Sequence, residues 1–234
     1  MDSTKPQTSA ASTPRAQEKT GGFDANERAV IHRAFRREIR LLAELIAGVK
    51  PGDTARARVL VGHFADIRQG VQNHYEGENK LLWPPIRARI APNTEVIDRM
   101  IAQNERIAST LARADGLVKT WANSVSEADR NAAVAALRDH YAVLVEHLDS
   151  VEADLLPLAE RYMTAKEWKA LGDYFVTSTP KSKLLKFFGM VMEDAGPSEQ
   201  AVLLKGLPAP ARPVWLFIGR PQYARTVRTI RLTP

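Results

Sequence analysis

The chain contains no cysteine. Disulfides, zinc–thiolate centres, cysteine-ligated iron–sulfur clusters and thiol catalysis are therefore excluded. No stretch approaches the ~20 consecutive apolar residues that cross a bilayer, and Met1 to Gly22 has no apolar run of the kind a secretory leader carries. These absences lead to the expectation of a cytoplasmic protein with no transmembrane segment. Histidine is scarce, with five residues, His32, His63, His74, His140 and His147. From Gln200 onward there is no acidic residue, only Lys205, Arg212, Arg220, Arg225, Arg228 and Arg231. The whole chain has 33 basic and 27 acidic residues, a net +6, so residues 1–199 sum to zero and the basicity belongs to the end of the chain.

At 234 residues and 44% hydrophobic content the chain can bury a core, as one large domain or a domain with an appendage. Residues 1–22 are mostly Ser, Thr, Pro, Gln, Ala and Gly, and are expected to be a disordered tail. Apolar residues then recur at helical spacing. Ile31, Phe35, Ile39, Leu42 and Ile46 form the stripe of a first helix beginning near Asp24, an N-cap with Glu27 three residues on. Pro51-Gly52 is a turn. A second helix runs from about Thr54 to Ile90 and is expected to bend at Pro84-Pro85, where the amide donor is missing. A third carries Val96, Met100, Ile107, Leu111 and Val118. Ser126 caps a fourth, which carries Val134, Leu137, Leu144, Val151 and Leu155. Thr164-Ala-Lys-Glu167 is a capping box for a fifth. Four long amphipathic helices with short links predict an all-α fold, an up-down-up-down four-helix bundle, with short C-terminal helices cut by Pro180, Pro197, Pro208, Pro210, Pro213 and Pro221.

The chemistry is concentrated in His74-Tyr-Glu-Gly-Glu78-Asn-Lys-Leu-Leu-Trp83-Pro84. Residues four apart stack on one helical face, so the His74 imidazole and the Glu78 carboxylate can reach one metal ion. A second stretch, His147-Leu-Asp-Ser-Val-Glu152-Ala-Asp-Leu-Leu-Pro157, repeats the order of histidine, carboxylate, leucines and proline. Five residues turn an ideal α-helix by about 140°, so His147 and Glu152 are not expected to stack. Asp149 is expected to face solvent and Asp154 to reach only the rim. His32 borders the first stripe. His63 and His140 fall on the stripes of His74 and His147, where they form either a second polar layer or ordinary hydrogen-bonded core histidines.

These residues resemble the hemerythrin-like, or HHE cation-binding, domain over about residues 25–178. The resemblance rests on His32, on His74/Glu78 with Leu82-Trp83-Pro84, and on His147/Glu152 with Leu156-Pro157, in that order. It implies metal ligation by His32, His74, Glu78, His147 and Glu152, with Glu152 in the place of a bridging carboxylate. The chain departs from the family pattern at the third helix, where Gln103-Asn104 stands in place of a histidine; no histidine lies between 75 and 139. Tyr75 and Asn79 depart from it too.

The domain layout expected is a tail at 1–22, a hemerythrin-like bundle at 23–178, and a basic helical extension at 179–234 packed on it. Ligation by histidine and carboxylate without thiolate suits iron, with manganese or zinc as alternatives, at one or two ions. The resemblance implies dioxygen, peroxide or nitric oxide as small ligands. Three functions are open on the sequence: a non-haem iron protein binding or reducing dioxygen or peroxide, an iron-dependent oxidase of a small organic substrate, and a metal-poor bundle with a regulatory or interaction role. The spread of the arginines speaks against nucleic acid.

Overall fold

The computed structural model describes residues 27–231. The expected tail and the Asp24 cap lie outside the described residues. Within them the chain is all-helical, with no strand.

The helices begin where capping chemistry places them. α1 (Glu27–Ala47) buries Phe35, Ile39, Leu42 and Ile46 as one stripe. α2 (Thr54–Gly77) starts at Asp53, whose carboxylate accepts the Arg56 amide at 2.9 Å. α4 (Glu95–Ser124) follows the short α3 (Trp83–Ile90). α5 (Glu127–Ser150) is capped by Ser126, whose hydroxyl accepts the Asp129 amide at 3.2 Å. α6 (Leu156–Tyr162) leads to α7 (Ala165–Ser178), which opens on the Thr164/Glu167 capping box. Each such cap satisfies amides left without intrahelical partners, for about 1 kcal/mol. Two turns meet at one end. Gly52, in the left-handed region at φ 80°, donates its amide at 3.0 Å to Val125, itself left-handed at φ 45°. A left-handed β-branched valine is strained; its buried side chain and this hydrogen bond hold it.

The long second helix is not the continuous α-helix that its periodicity predicts. A π-helical turn, Glu78–Leu82, separates α2 from α3. A second, Val151–Leu155, separates α5 from α6, and a third, Trp215–Gly219, follows α10 (Ala211–Val214). The residue after each turn reaches back five positions: Trp83 to Glu78, Leu156 to Val151, Arg220 to Trp215. The next residue is proline in all three cases, Pro84, Pro157 and Pro221. Proline has no amide proton and crowds the carbonyl four residues back, and widening the preceding turn relieves both. The break thus falls ahead of the prolines rather than at them.

The core consists of two apolar clusters. The larger is built on Ile39, Leu42, Leu60, Phe64, Ile107, Val118, Trp121, Leu137 and Leu144. The smaller gathers Leu82, Trp83, Ile86, Ile97, Met100, Val151 and Leu155. α4 packs on α5 and α2, and α1 on α5 and α2. α8 (Lys181–Asp194) lies on α1, and α9 (Pro197–Gly206) and α11 (Arg220–Arg231) complete the chain. Lys183 and Lys186 of α8 both pair with Asp66, and Phe187 lies over Gly70, where an added Cβ would come within 2.7 Å of its ring. Tyr223 of α11 packs in the same way on Gly189 of α8. No described helix is long and apolar enough to cross a membrane.

Candidate metal centre

A buried polar layer separates the two apolar clusters. It contains His32 from α1, His74 from α2, Glu78 at the start of the first π turn, Gln103 and Asn104 from α4, and His147 from α5, all buried. Burying so many polar groups is costly unless each is partnered. Several are not.

His32, His74 and Glu78 each bring one ligand-capable atom to within 4.8 Å of the others. His74 Nε2 lies 3.1 Å from Glu78 Oε1, a consequence of their four-residue spacing on one helical face. Neither atom makes a hydrogen bond of acceptable geometry, and His32 Nε2 is also buried without a partner. The His32 and His74 rings meet edge to face, 5.2 Å between centroids. Two imidazoles and a carboxylate with their free atoms converging fit a divalent transition-metal ion in both donor chemistry and spacing.

His147 reaches the other carboxylate oxygen, Nε2 lying 3.2 Å from Glu78 Oε2, and its Nδ1 is 3.2 Å from Gln103 Oε1. Glu152 lies against the far side of His32: its Oε1 is 2.8 Å from His32 Nδ1 and accepts from Arg36 at 2.8 Å. A π turn closes five-residue hydrogen bonds. Glu152, five residues after His147, comes round to the edge of the layer, half-buried, where ideal α-helical geometry points it away. Asp149 pairs with Arg36 at the surface, and Asp154 with Arg99.

The two remaining histidines stay apart from this cluster. His63 Nε2 is 2.8 Å from Glu38 Oε2, and His140 Nδ1 is 2.9 Å from the Thr110 hydroxyl. Among the described residues they share no hydrogen-bond partner.

Of the Gln103-Asn104 pair, Asn104 faces Glu78. Its amide donates to Glu78 Oε2 at 3.4 Å and to Asn79 Oδ1 at 3.1 Å, and its own carbonyl oxygen is buried without a partner. Asn79 opens onto a surface groove lined also by Trp83, Pro84, Arg87, Ile101 and Glu105.

The reading of the sequence missed Arg28. Its guanidinium lies 3.3 Å from His74 Nδ1 and 3.8 Å from Glu78 Oε1, and stacks over Trp168 at 5.5 Å. Its one signal in the sequence is position: Arg28 is four residues before His32, on the same face of α1.

Burial sets the protonation states. Desolvation pushes His32 down to about 4, against the pull of Glu152, and lowers His74 as well. Both imidazoles are therefore neutral near pH 7, the form that binds metal. Burial alone raises the Glu78 carboxyl, but His74 and His147 outweigh it and hold it well below the usual range. Desolvation by burial lowers Arg28.

The family model of the hemerythrin HHE cation binding domain matches residues 29–159. Neither the curated proteins nor the solved structures give a match.

Proposed function

The chain belongs to the hemerythrin HHE cation-binding family, and on that premise we propose that it is a cytoplasmic non-haem iron protein that binds or reduces dioxygen or peroxide. The observation that carries this is the convergence of unpartnered buried atoms, His32 Nε2, His74 Nε2 and Glu78 Oε1, in one spot. A buried polar atom without a partner costs about 1–3 kcal/mol, and an ion bound here would satisfy all three atoms.

In this reading His32, His74 and Glu78 hold the first ion. A second ion would be held by Glu78 Oε2 with His147. Iron, when bound, supplies affinity for dioxygen and exchange of electrons with peroxide. The protein supplies the surroundings. Glu152 holds His32 through Nδ1 and keeps Nε2 free for the ion. Phe35 packs edge-on against His74 at 5.3 Å and Trp83 against His147 at 6.5 Å, so aromatic walls keep water from the layer. Asn104 would bind an ion more weakly than an imidazole, because an amide is a poor ligand for iron.

The proposed architecture is an up-down-up-down bundle over residues 23–178 with a packed extension at 179–234. The order of the clusters along the chain supports it. α2 and α5 line the large cluster and the π turns that follow them line the small one, while α4 passes from the small to the large.

One observation favours a second reading. The groove at Asn79 and Trp83 lies beside the layer and has room for a small organic molecule, which suits an oxidase. The test is metal content per chain, with optical spectra of anaerobically reduced and air-exposed protein, for the wild type and the His74→Ala and His63→Ala variants. Iron lost in His74→Ala and kept in His63→Ala is the expected result. Full iron in both variants would place the site elsewhere.

A further inference from the structure

The last two helices leave much of their apolar surface uncovered. Trp215 and Ile230 are buried, but Phe217 is 79% exposed, Ile218 58%, Leu216 47% and Val214 43%. These four are the majority of the large apolar residues that the described chain exposes, and they fill four of the five positions 214–218. Single exposed apolar residues need no explanation, whereas a contiguous patch does.

The patch is held rigidly. Trp215 packs edge-to-face on Phe188 with 4.8 Å between centroids, and Gly219 leaves room for its ring, since a Cβ there would come within 2.5 Å of it. With Trp215 turned inward, the π turn presents its neighbours outward. The segments on either side in the chain carry exposed basic residues: Lys205, Arg212, Arg220, Arg225 and Arg228. None of them forms an ion pair among the described residues; only Arg231 does, with Glu38 and Glu193. Ile218, Gln222, Arg225 and Thr229 recur at helical spacing and are all exposed, so one stripe runs from the apolar tip into the basic surface.

We propose that this surface docks on an anionic phospholipid bilayer. Val214, Leu216, Phe217 and Ile218 enter the headgroup–acyl boundary, and Arg220, Arg225 and Arg228 lie against lipid phosphates. An apolar wedge with a cationic collar is the pattern of a protein lying on a membrane surface. No described helix is long and apolar enough to span it. Charge complementarity selects this occupant: a second copy meeting through the same patch would bring two arginine collars face to face. A nucleic acid would engage the arginines but gives no role to the adjoining aliphatic side chains. The proposal does not depend on the metal site, which lies in other helices.

The test is co-sedimentation of the full chain with vesicles of phosphatidylcholine alone and of phosphatidylcholine with phosphatidylglycerol. Binding is expected to the mixed vesicles only, and to weaken as salt is raised. Phe217→Ser with Ile218→Ser should weaken it about tenfold or more through lost apolar burial. Arg220→Gln, Arg225→Gln and Arg228→Gln together should weaken it about a hundredfold and remove the preference for anionic lipid. All five side chains are exposed, and an unchanged helical circular-dichroism spectrum confirms that the variants fold. No binding of the wild type to the mixed vesicles overturns the proposal, as does binding unaffected by either set of changes. A dimer in sedimentation velocity that Phe217→Ser dissolves, without vesicle binding, assigns the patch to a second copy. Duplex DNA bound more tightly than the vesicles assigns it to nucleic acid.

Discussion

Nδ1 of His32 lies 2.8 Å from Oε1 of Glu152, joining the first helix to the second π turn across the buried layer. A carboxylate is an acceptor only, so Nδ1 carries the proton and Nε2 presents its lone pair to His74 and Glu78. Arg36 holds the same carboxylate oxygen at 2.8 Å. The orientation of one inner imidazole is thus set by two groups nearer the surface.

Removal of Glu152 should therefore loosen a metal site without abolishing it. Glu152→Ala is expected to lower iron affinity about 10- to 100-fold, the range for a group that orients a ligand. His74→Ala should lose the ion altogether. Chelator competition on both variants makes the comparison. Equal loss in the two would mean that Glu152 binds the ion itself.

The extension is held by close approach. A Cβ at Gly189 would lie 2.3 Å from Tyr223 Cγ and 2.9 Å from its Cβ, near the root of that side chain, where little can yield. Alanine favours a helix by about 1 kcal/mol over glycine, but overpacking costs about 1–3 kcal/mol. Gly189→Ala should destabilise the protein, with α11 the first element to loosen. Urea unfolding and amide exchange of residues 220–231 measure this; unchanged exchange there would show that Tyr223 rearranges freely.

Local chemistry made much of this legible in the sequence. Ser126 and Thr164 cap helices because their hydroxyls accept nearby amides, and His74 and Glu78 meet because a helix repeats every 3.6 residues. The π turns were hidden, since apolar periodicity measures faces and not hydrogen-bond reach. Only the proline two residues beyond each turn pointed to them. Arg28 was hidden because a charge near a helix start ordinarily faces solvent. Sequence could not show that Phe217 and Ile218 are exposed while Trp215 is buried, because that depends on Phe188 in another helix.

Acid should weaken the fold in part through His140. Burial pushes its imidazole down to about 4 from 6.5, and Nε2 has no partner. In the unfolded chain it takes up a proton below about 6.5, and in the folded chain only below about 4. Stability therefore falls as pH drops through that window, by about 1.4 kcal/mol per pH unit from this residue. His140→Gln should flatten the decline, its advantage over wild type growing to roughly 3 kcal/mol near pH 4. Urea unfolding of both proteins across this range tests it; parallel curves would mean that His140 is already protonated in the folded state.

Asn104, on α4 where the sequence carries no histidine, lies with its amide 3.4 Å from Glu78 Oε2. An imidazole is a far better donor to iron than an amide oxygen, so Asn104→His should strengthen metal binding on the His147 side of Glu78. Wild type should hold fewer than two irons per chain after chelator treatment, and the variant should approach two. The added ligand also fills a coordination position, so turnover of peroxide should fall while reversible oxygen binding becomes more stable. Asn104→Ala should do neither, and serves as the control for simply removing the amide. Iron per chain and the charge-transfer band of the oxygenated protein, compared across the three, decide it. If Asn104→His changes neither, the side chain at 104 does not reach the ion, and the departure at this position says nothing about the chemistry.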